Sequence, residues 1–151
     1  MTERGLLRLP DFLVIGQEDW DEIERRNQLL VRALAGRNDR ARFLFCELPG
    51  NWGRVRPREV ADGVFAVRTV RALPDRFRAG AWLNDRLEAR QLRRALTQVG
   101  IELPALWTQD PRAASLVSLL PVERVVYDLT DDWAAFEEDP RRRAAVQQRI
   151  E

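Results

Sequence analysis

Residues 104–129 read PALWTQDPRAASLVSLLPVERVVYDL, and this stretch decides the fold. Pro104 to Thr108 is a short apolar run, strand-like and too short for a helix. Asp110-Pro111 supplies an N-cap followed by proline at the first helical position, and a helix is predicted from there to about Leu120. Arg124 to Leu129 then reads as strand again. A strand, a helix and a strand in such quick succession argue for neighbouring parallel strands.

The same alternation extends outward in both directions. Asp11 to Gly16 (DFLVIG) is a first strand. Asp19 is a good N-cap, with Glu22 three residues on as in a capping box, so a helix is predicted from Asp19 to a stop at Gly36. Its apolar face carries Ile23, Leu30 and Leu34, widened by Leu29 and Ala33. Ala41 to Leu48 is a second strand closed by Pro49-Gly50, and Val64 to Val70 a third. Asn51 to Asp62 reads as a loop carrying Trp52, Arg54, Arg56 and Arg58. From Ala79 to Val99 the chain reads as one long helix with Leu83, Leu87, Leu92, Leu96 and Val99 at near-helical spacing, ended by Gly100. Asp131-Asp132-Trp133 opens another helical stretch, restarted at Asp139-Pro140 and still helical at Glu151. The expected fold is α/β: a Rossmann-like, doubly wound, mostly parallel five-stranded sheet in three layers. Residues 1–10 are expected to be an N-terminal tail, and 11–151 one domain.

Composition narrows the chemistry. The chain has 151 residues with 25 basic and 24 acidic side chains, net +1, so no overall field is expected to draw it to nucleic acid or to an anionic membrane. Every basic residue is arginine, and there is no histidine. That excludes a Ser-His-Asp triad, a Cys-His dyad, His-ligated zinc, a phosphate-loop lysine and a Schiff-base lysine. Cys46 stands alone within an apolar strand, which fits a buried thiol in a reducing cytoplasm. The first ten residues have no long apolar region of the signal-peptide kind. No apolar run approaches the ~20 residues that span a bilayer.

In a doubly wound sheet, ligands bind beyond the carboxyl ends of the strands, where the strand order reverses. With the order 3-2-1-4-5, the facing loops are Gly16 to Trp20 and Thr108 to Arg112, with Thr130 to Trp133 beside them. Gly16 and Asp19 could admit a ligand to backbone and helix terminus, although a plain turn and cap explain them equally. Gln109 and Asp110 offer an amide and a carboxylate to hydroxyls; capping alone is the competing account of Asp110. Asp128, Asp131 and Asp132 form the densest cluster. Neighbouring carboxylates suit general-base work near neutral pH, or they could hold Mg²⁺. Trp20, Trp52 and Trp133 fall on the same edge, where an indole face can stack on a sugar, whereas Trp82 and Trp107 fit the core. The arginines of residues 54–58 could meet an anionic acceptor.

These residues resemble the N-terminal half of bacterial GT-B glycosyltransferases of the retaining, glycogen-synthase-like type (family 1 or 4). The likeness is carried by Trp20, Asp21, Arg26 and Gln28 after the first strand, by Asp110-Pro111, and above all by the segment from Tyr127 to Trp133. Where many relatives carry histidines, this chain holds Gln109 and Tyr127-Asp128. The resemblance implies transfer of a sugar from a nucleotide-sugar to a hydroxyl acceptor, a saccharide or a lipid-linked one. The nucleotide-sugar is then a substrate, with no cofactor and no metal. It implies that this chain is the acceptor side, with a donor domain missing after residue 151, and that the chain alone is inactive. Asp128, Asp131 and Asp132 become the expected catalytic carboxylates. Gly16, Asp19, Trp20, Gln109, Asp110 and Trp133 become the expected acceptor contacts. Peripheral membrane contact is compatible with such acceptors, and a cytoplasmic location is expected. Two rival readings remain open: a stand-alone, flavodoxin-like binding module without catalysis, and a Mg²⁺-dependent phosphoryl-transfer domain. The absence of lysine and of a glycine-rich phosphate loop counts against the second.

Overall fold

A computed structural model describes residues 9–38 and 40–129, together with the helical positions Pro140, Ala144 and Gln148. The fold is α/β. Six strands form one sheet: β1 (Phe12–Ile15), β2 (Phe43–Gly50), β3 (Arg58–Ala61), β4 (Val64–Val70), β5 (Ala105–Thr108) and β6 (Arg124–Tyr127). Their spatial order is β3-β4-β2-β1-β5-β6. All neighbours are parallel except β3 and β4. The helices are α1 (Arg26–Ala35), α2 (Arg78–Gln98) and the short α3 (Ala114–Val117), which follows a 3-10 turn at Pro111–Ala113.

The five parallel strands and their order are those expected. The sixth strand is the correction: β3 lies inside residues 51–62, read above as a loop. Its hairpin with β4 turns at Asp62-Gly63, where Gly63 has φ +69°. Asp-Gly is the dipeptide that tight hairpins favour, because this backbone region costs glycine nothing.

Strands β1, β2, β4 and β5 each feed two separate cores, as a period of two requires. Leu13, Ile15, Leu44, Cys46, Val67 and Leu106 pack with Leu92, Leu96, Leu116 and Leu120 of the α2–α3 side. Val14, Phe43, Phe45, Val64, Ala66 and Trp107 pack with Trp20 and Val31 of the α1 side. Trp107 and Cys46 are therefore buried, as expected. Trp82 is not; it is 54% exposed on α2.

Helix α1 starts seven residues later than its sequence signals indicate. Asp19 does not cap it; its Oδ2 accepts from Arg68 at 2.5 Å instead. The Trp20 backbone N–H is taken by Glu47 Oε1 at 3.0 Å, and the Trp20 ring packs edge-on against Phe45. Those contacts hold residues 19–20 against the sheet and out of a helical turn. Buried Gln28 closes the gap: its Oε1 accepts from the Arg25 N–H, and its Nε2 donates to the carbonyls of Asp19 and Trp20. Ile23, expected on the apolar face, lies outside the helix and is exposed.

Helix α2 spans the expected residues but turns a different face inward. Leu83 and Leu87 are exposed, whereas Gly80, Asn84, Glu88, Leu92, Ala95 and Leu96 are buried. Gly80 is required by a close approach: a Cβ there would lie 2.5 Å from the Pro74 carbonyl oxygen. Gly80→Ala must push the 73–77 turn outward, and about 2 kcal/mol of lost stability is expected, in the range for overpacking. Thermal melting of the purified variant checks this; an unchanged melting temperature contradicts the stated approach.

Candidate functional site

The loop after β1 leads to α1, which packs into one core. The chain after β5 leads to α3, which packs into the other. The strand order thus reverses between β1 and β5, and their carboxyl ends are joined there. Thr108 Oγ1 donates to the Ile15 carbonyl at 3.0 Å and accepts from the Asp110 N–H at 3.0 Å. A cavity of about 310 Å³ opens beside this point, over the ends of β1 and β2 and under α2 and α3.

Gly16 and Asp110 line that cavity, as the topology led the sequence to suggest. Gly16 is small for a packing reason as well: a Cβ there would come within 3.2 Å of the Phe45 ring. Asp110 is buried and heavily engaged. Its Oδ1 accepts from the Arg112 backbone N–H at 2.9 Å, and both carboxylate oxygens meet the Arg112 guanidinium at 2.7–3.0 Å. It both caps the 3-10 turn and anchors a cation at the cavity wall. This hydrogen-bonded pairing raises the Arg112 pKa further, against the opposing effect of burial.

Sequence reading missed the rest of the wall. Arg71, just past β4, is its hub. Nη1 reaches Glu88 Oε2 at 2.6 Å and Asp85 Oδ1 at 3.0 Å. Nη2 and Nε reach Asp75 at 3.1 and 3.3 Å. Burial works against this charge, but the hydrogen bonds to Asp75, Glu88 and Asp85 outweigh it and hold the proton more tightly than usual. Thr69 donates to the other oxygen of Glu88 at 3.0 Å. Counting Glu47, the cavity presents five carboxylates against two guanidiniums. The signal was in α2: its inward stripe is polar at Asn84, Glu88 and Gln91 and apolar at Leu92, Ala95 and Leu96. The polar half faces the carboxyl edge, where Gln91 also bonds both backbone groups of Val70.

The other expected site residues fall elsewhere. Asp19 and Trp20 do not line the cavity. The Trp20 ring, 5% exposed, belongs to the core and does not stand free as a stacking wall. Gln109 is half-buried at the end of β5. Trp52 is 87% exposed. Asp128 forms a two-point pair with Arg26 of α1, Oδ2 to Nη1 at 2.7 Å and Oδ1 to Nη2 at 3.3 Å, bridging β6 to α1. Asp131, Asp132 and Trp133 lie outside the described residues. Arg58 faces Glu47 and Asp21, at 2.7 and 2.8 Å. Near the strand ends, Glu18 is buried, which pushes its carboxyl up against the opposing effects of Asn27 and Arg25. Burial, with Asp110 adding negative charge, also raises the Tyr127 phenol.

Among the described residues, no three His, Cys, Asp or Glu side chains are grouped to hold a metal ion. Comparison of the chain with protein-family models, curated proteins and solved structures finds no match.

Chemically, this cavity suits an uncharged, hydroxyl-rich molecule. Carboxylates and guanidiniums side by side offer acceptors and donors together, and each retains lone pairs or N–H groups beyond its ion pair. An excess of carboxylate repels phosphate.

Proposed function

We propose that this chain is the acceptor-binding, Rossmann-like, three-layered and doubly wound domain of a nucleotide-sugar-dependent glycosyltransferase. One observation carries the proposal: the cavity at the switch point is rich in carboxylates paired with Arg71 and Arg112. Its polarity favours a neutral saccharide hydroxyl over a nucleotide's phosphates, which is the division of labour that the sequence resemblance implies. Gly16 leaves the mouth open, and Asp110 with Arg112 supplies polar contacts at one wall. Asp128, held by Arg26, and Gln109 do not line this cavity. The resemblance would give Asp128, with Asp131 and Asp132 following it in the chain, the role of carboxylates for a part of the acceptor that extends beyond the cavity. The departing nucleotide would be met by groups of a separate donor-binding domain, where the developing charge needs stabilising.

The test is isothermal titration with a panel of neutral mono- and oligosaccharides and a panel of nucleotide-sugars. Ser115 is exposed at the cavity wall, so Ser115→Trp should fill the space without disturbing the core. Saccharide binding is expected in the unmodified chain and should weaken at least about tenfold in Ser115→Trp, a loss of roughly 1.4 kcal/mol, with the melting temperature unchanged. Nucleotide-sugars are expected not to bind this chain alone. Nucleotide-sugar binding with no saccharide binding would overturn the assignment.

A further inference from the structure

The solvent face of α2 combines unpaired arginines with large apolar side chains on one helix. Its exposed residues include Arg78, Arg86, Arg90, Arg93 and Arg94, interleaved with Trp82, Leu83 and Leu87. At 100° per residue, the run from Trp82 to Leu87 covers an arc of roughly 140° on the side away from the sheet. The two acidic residues of α2, Asp85 and Glu88, point the other way, into the Arg71 cluster. Among the described residues, none of those five arginines is paired with a carboxylate.

The apolar members are as unusual as the cations. Trp82 is 54% exposed and Leu83 47%, and Phe77, on the turn leading into the helix, is also exposed. Arg86 lies over the Trp82 ring at 4.1 Å, and Arg76 over Phe77 at 4.9 Å. Each aromatic therefore carries a cation at its face. Arg26, Arg32, Arg58, Arg68 and Arg124 each have a carboxylate within 4 Å, whereas the exposed Arg37, Arg40, Arg54 and Arg56 have none among the described residues. What sets α2 apart is that its unpaired arginines share one helix face with Trp82, Leu83 and Leu87. The net charge of +1 thus conceals a strongly basic face.

We infer that this face of α2 docks on an anionic phospholipid surface. Arginines at mid-face match lipid phosphates in charge and geometry. Tryptophan and phenylalanine seat at the headgroup level, and the leucines reach the acyl boundary. A nucleic acid would match the arginines but leaves Leu83 and Leu87 without a partner, so lipid accounts for more of the face. No helix among the described residues is long and apolar enough to cross a membrane; the contact lies in the plane of the surface. The inference is independent of the glycosyltransferase reading, although α2 also walls the cavity through Asp85 and Glu88, so docking would bring that cavity close to the lipid.

The test is co-sedimentation of the full chain with vesicles of phosphatidylcholine alone, or mixed with phosphatidylglycerol. Binding is expected only to the mixed vesicles, weakening as salt is raised. Reversing three exposed charges (Arg86→Glu, Arg90→Glu and Arg93→Glu together) should lower the partition coefficient by about a hundredfold or more. Leu83→Ser with Leu87→Ser should weaken binding at high salt more than at low salt, because it removes the salt-insensitive part. Thermal melts of both variants should stay near that of the parent, since every changed side chain faces solvent. Failure of the parent to sediment with anionic vesicles at low salt overturns the inference. So does a triple variant that binds as well as the parent, or tighter binding to an RNA oligonucleotide than to the vesicles.

Discussion

Arg71→Met is expected to destabilise the protein by about 3 kcal/mol at neutral pH, in the range for breaking a buried ion pair by removing one partner. The Arg71 side chain is 21% exposed and neutralises three carboxylates at once. They do not contribute equally. Asp75 is more than half exposed and would return to water at little cost. Asp85 and Glu88 sit one helical turn apart, at 21% and 7% exposure, and would face each other with no hydrogen-bonded counter-cation. Glu88 would keep only the Thr69 hydroxyl. Arg71→Lys should recover less than half of the loss, because one ammonium cannot reach three carboxylates in the planar fork that the guanidinium provides.

The dependence on pH separates this explanation from simple loss of packing. In the parent, burial would raise the Asp75 carboxyl, but hydrogen bonds from Arg71 and Asn84 outweigh it, and its pKa lies below the ordinary value. A lowered carboxyl pKa contributes stability above its unfolded value and loses it as pH falls through the folded one, so the parent should weaken below about pH 4. In Arg71→Met the Arg71 hydrogen bond that lowers the Asp75 carboxyl is missing, so most of this acid-sensitive contribution is already lost. The urea midpoints of parent and variant should therefore converge between pH 7 and pH 3. A gap of the same size at both values would mean that the arginine acts through its aliphatic stem and not its charge.

This cluster also shows why the sequence was only partly legible. The parallel strands could be read because each is a short apolar run bounded by turn residues, and their order places Gly16 and Asp110 at the same edge. Those two were found by topology, which needs no side-chain detail. Arg71, Asp75, Asp85 and Glu88 were hidden because leucines dominate the reading of an amphipathic helix. Leu83 and Leu87 seemed to mark the core of α2, whereas the sheet-facing stripe there is Asn84 and Glu88. Burial of Glu88 is stable only through Arg71, seventeen residues away in another element, and no helical period reveals such a partner. The onset of α1 failed for a related reason: Asp19 has good capping chemistry, but Arg68 and Glu47 claim residues 19–20 from across the sheet. Strand β3 was a different kind of miss. Its signal, Asp62-Gly63 ahead of Val64, is local, but Arg58-Glu59-Val60-Ala61 lacks the alternation that marks a half-buried strand, with Arg58 and Glu59 both exposed.

The second large effect is expected at Glu47, which does for the β1–α1 loop what Arg71 does for α2. The Glu47 side chain is 4% exposed; its Oε1 accepts from the Trp20 N–H at 3.0 Å and from Arg58 at 2.7 Å, and Oε2 faces Arg68 at 3.8 Å. Glu47→Ala should cost about 2–3 kcal/mol, most of it from the amide left without a partner. The arginines contribute little, because Arg58 and Arg68 are 43% and 49% exposed and keep Asp21 and Asp19 as partners. Exposed pairs of this kind are worth about 0–1 kcal/mol. Glu47→Gln retains an acceptor for the Trp20 N–H and should recover at least half of the loss; were charge the main contribution, Gln would be nearly as damaging as Ala. Amide exchange locates the damage. Protection at Trp20 should fall in Glu47→Ala by more than global destabilisation accounts for, while amides in β4 and β5 should change only with global stability. Equal losses everywhere would mean that Glu47 supports the sheet as a whole. A local loss would mean that this carboxylate holds the loop carrying Gly16, so that a residue in the cavity wall also sets the position of the cavity's mouth.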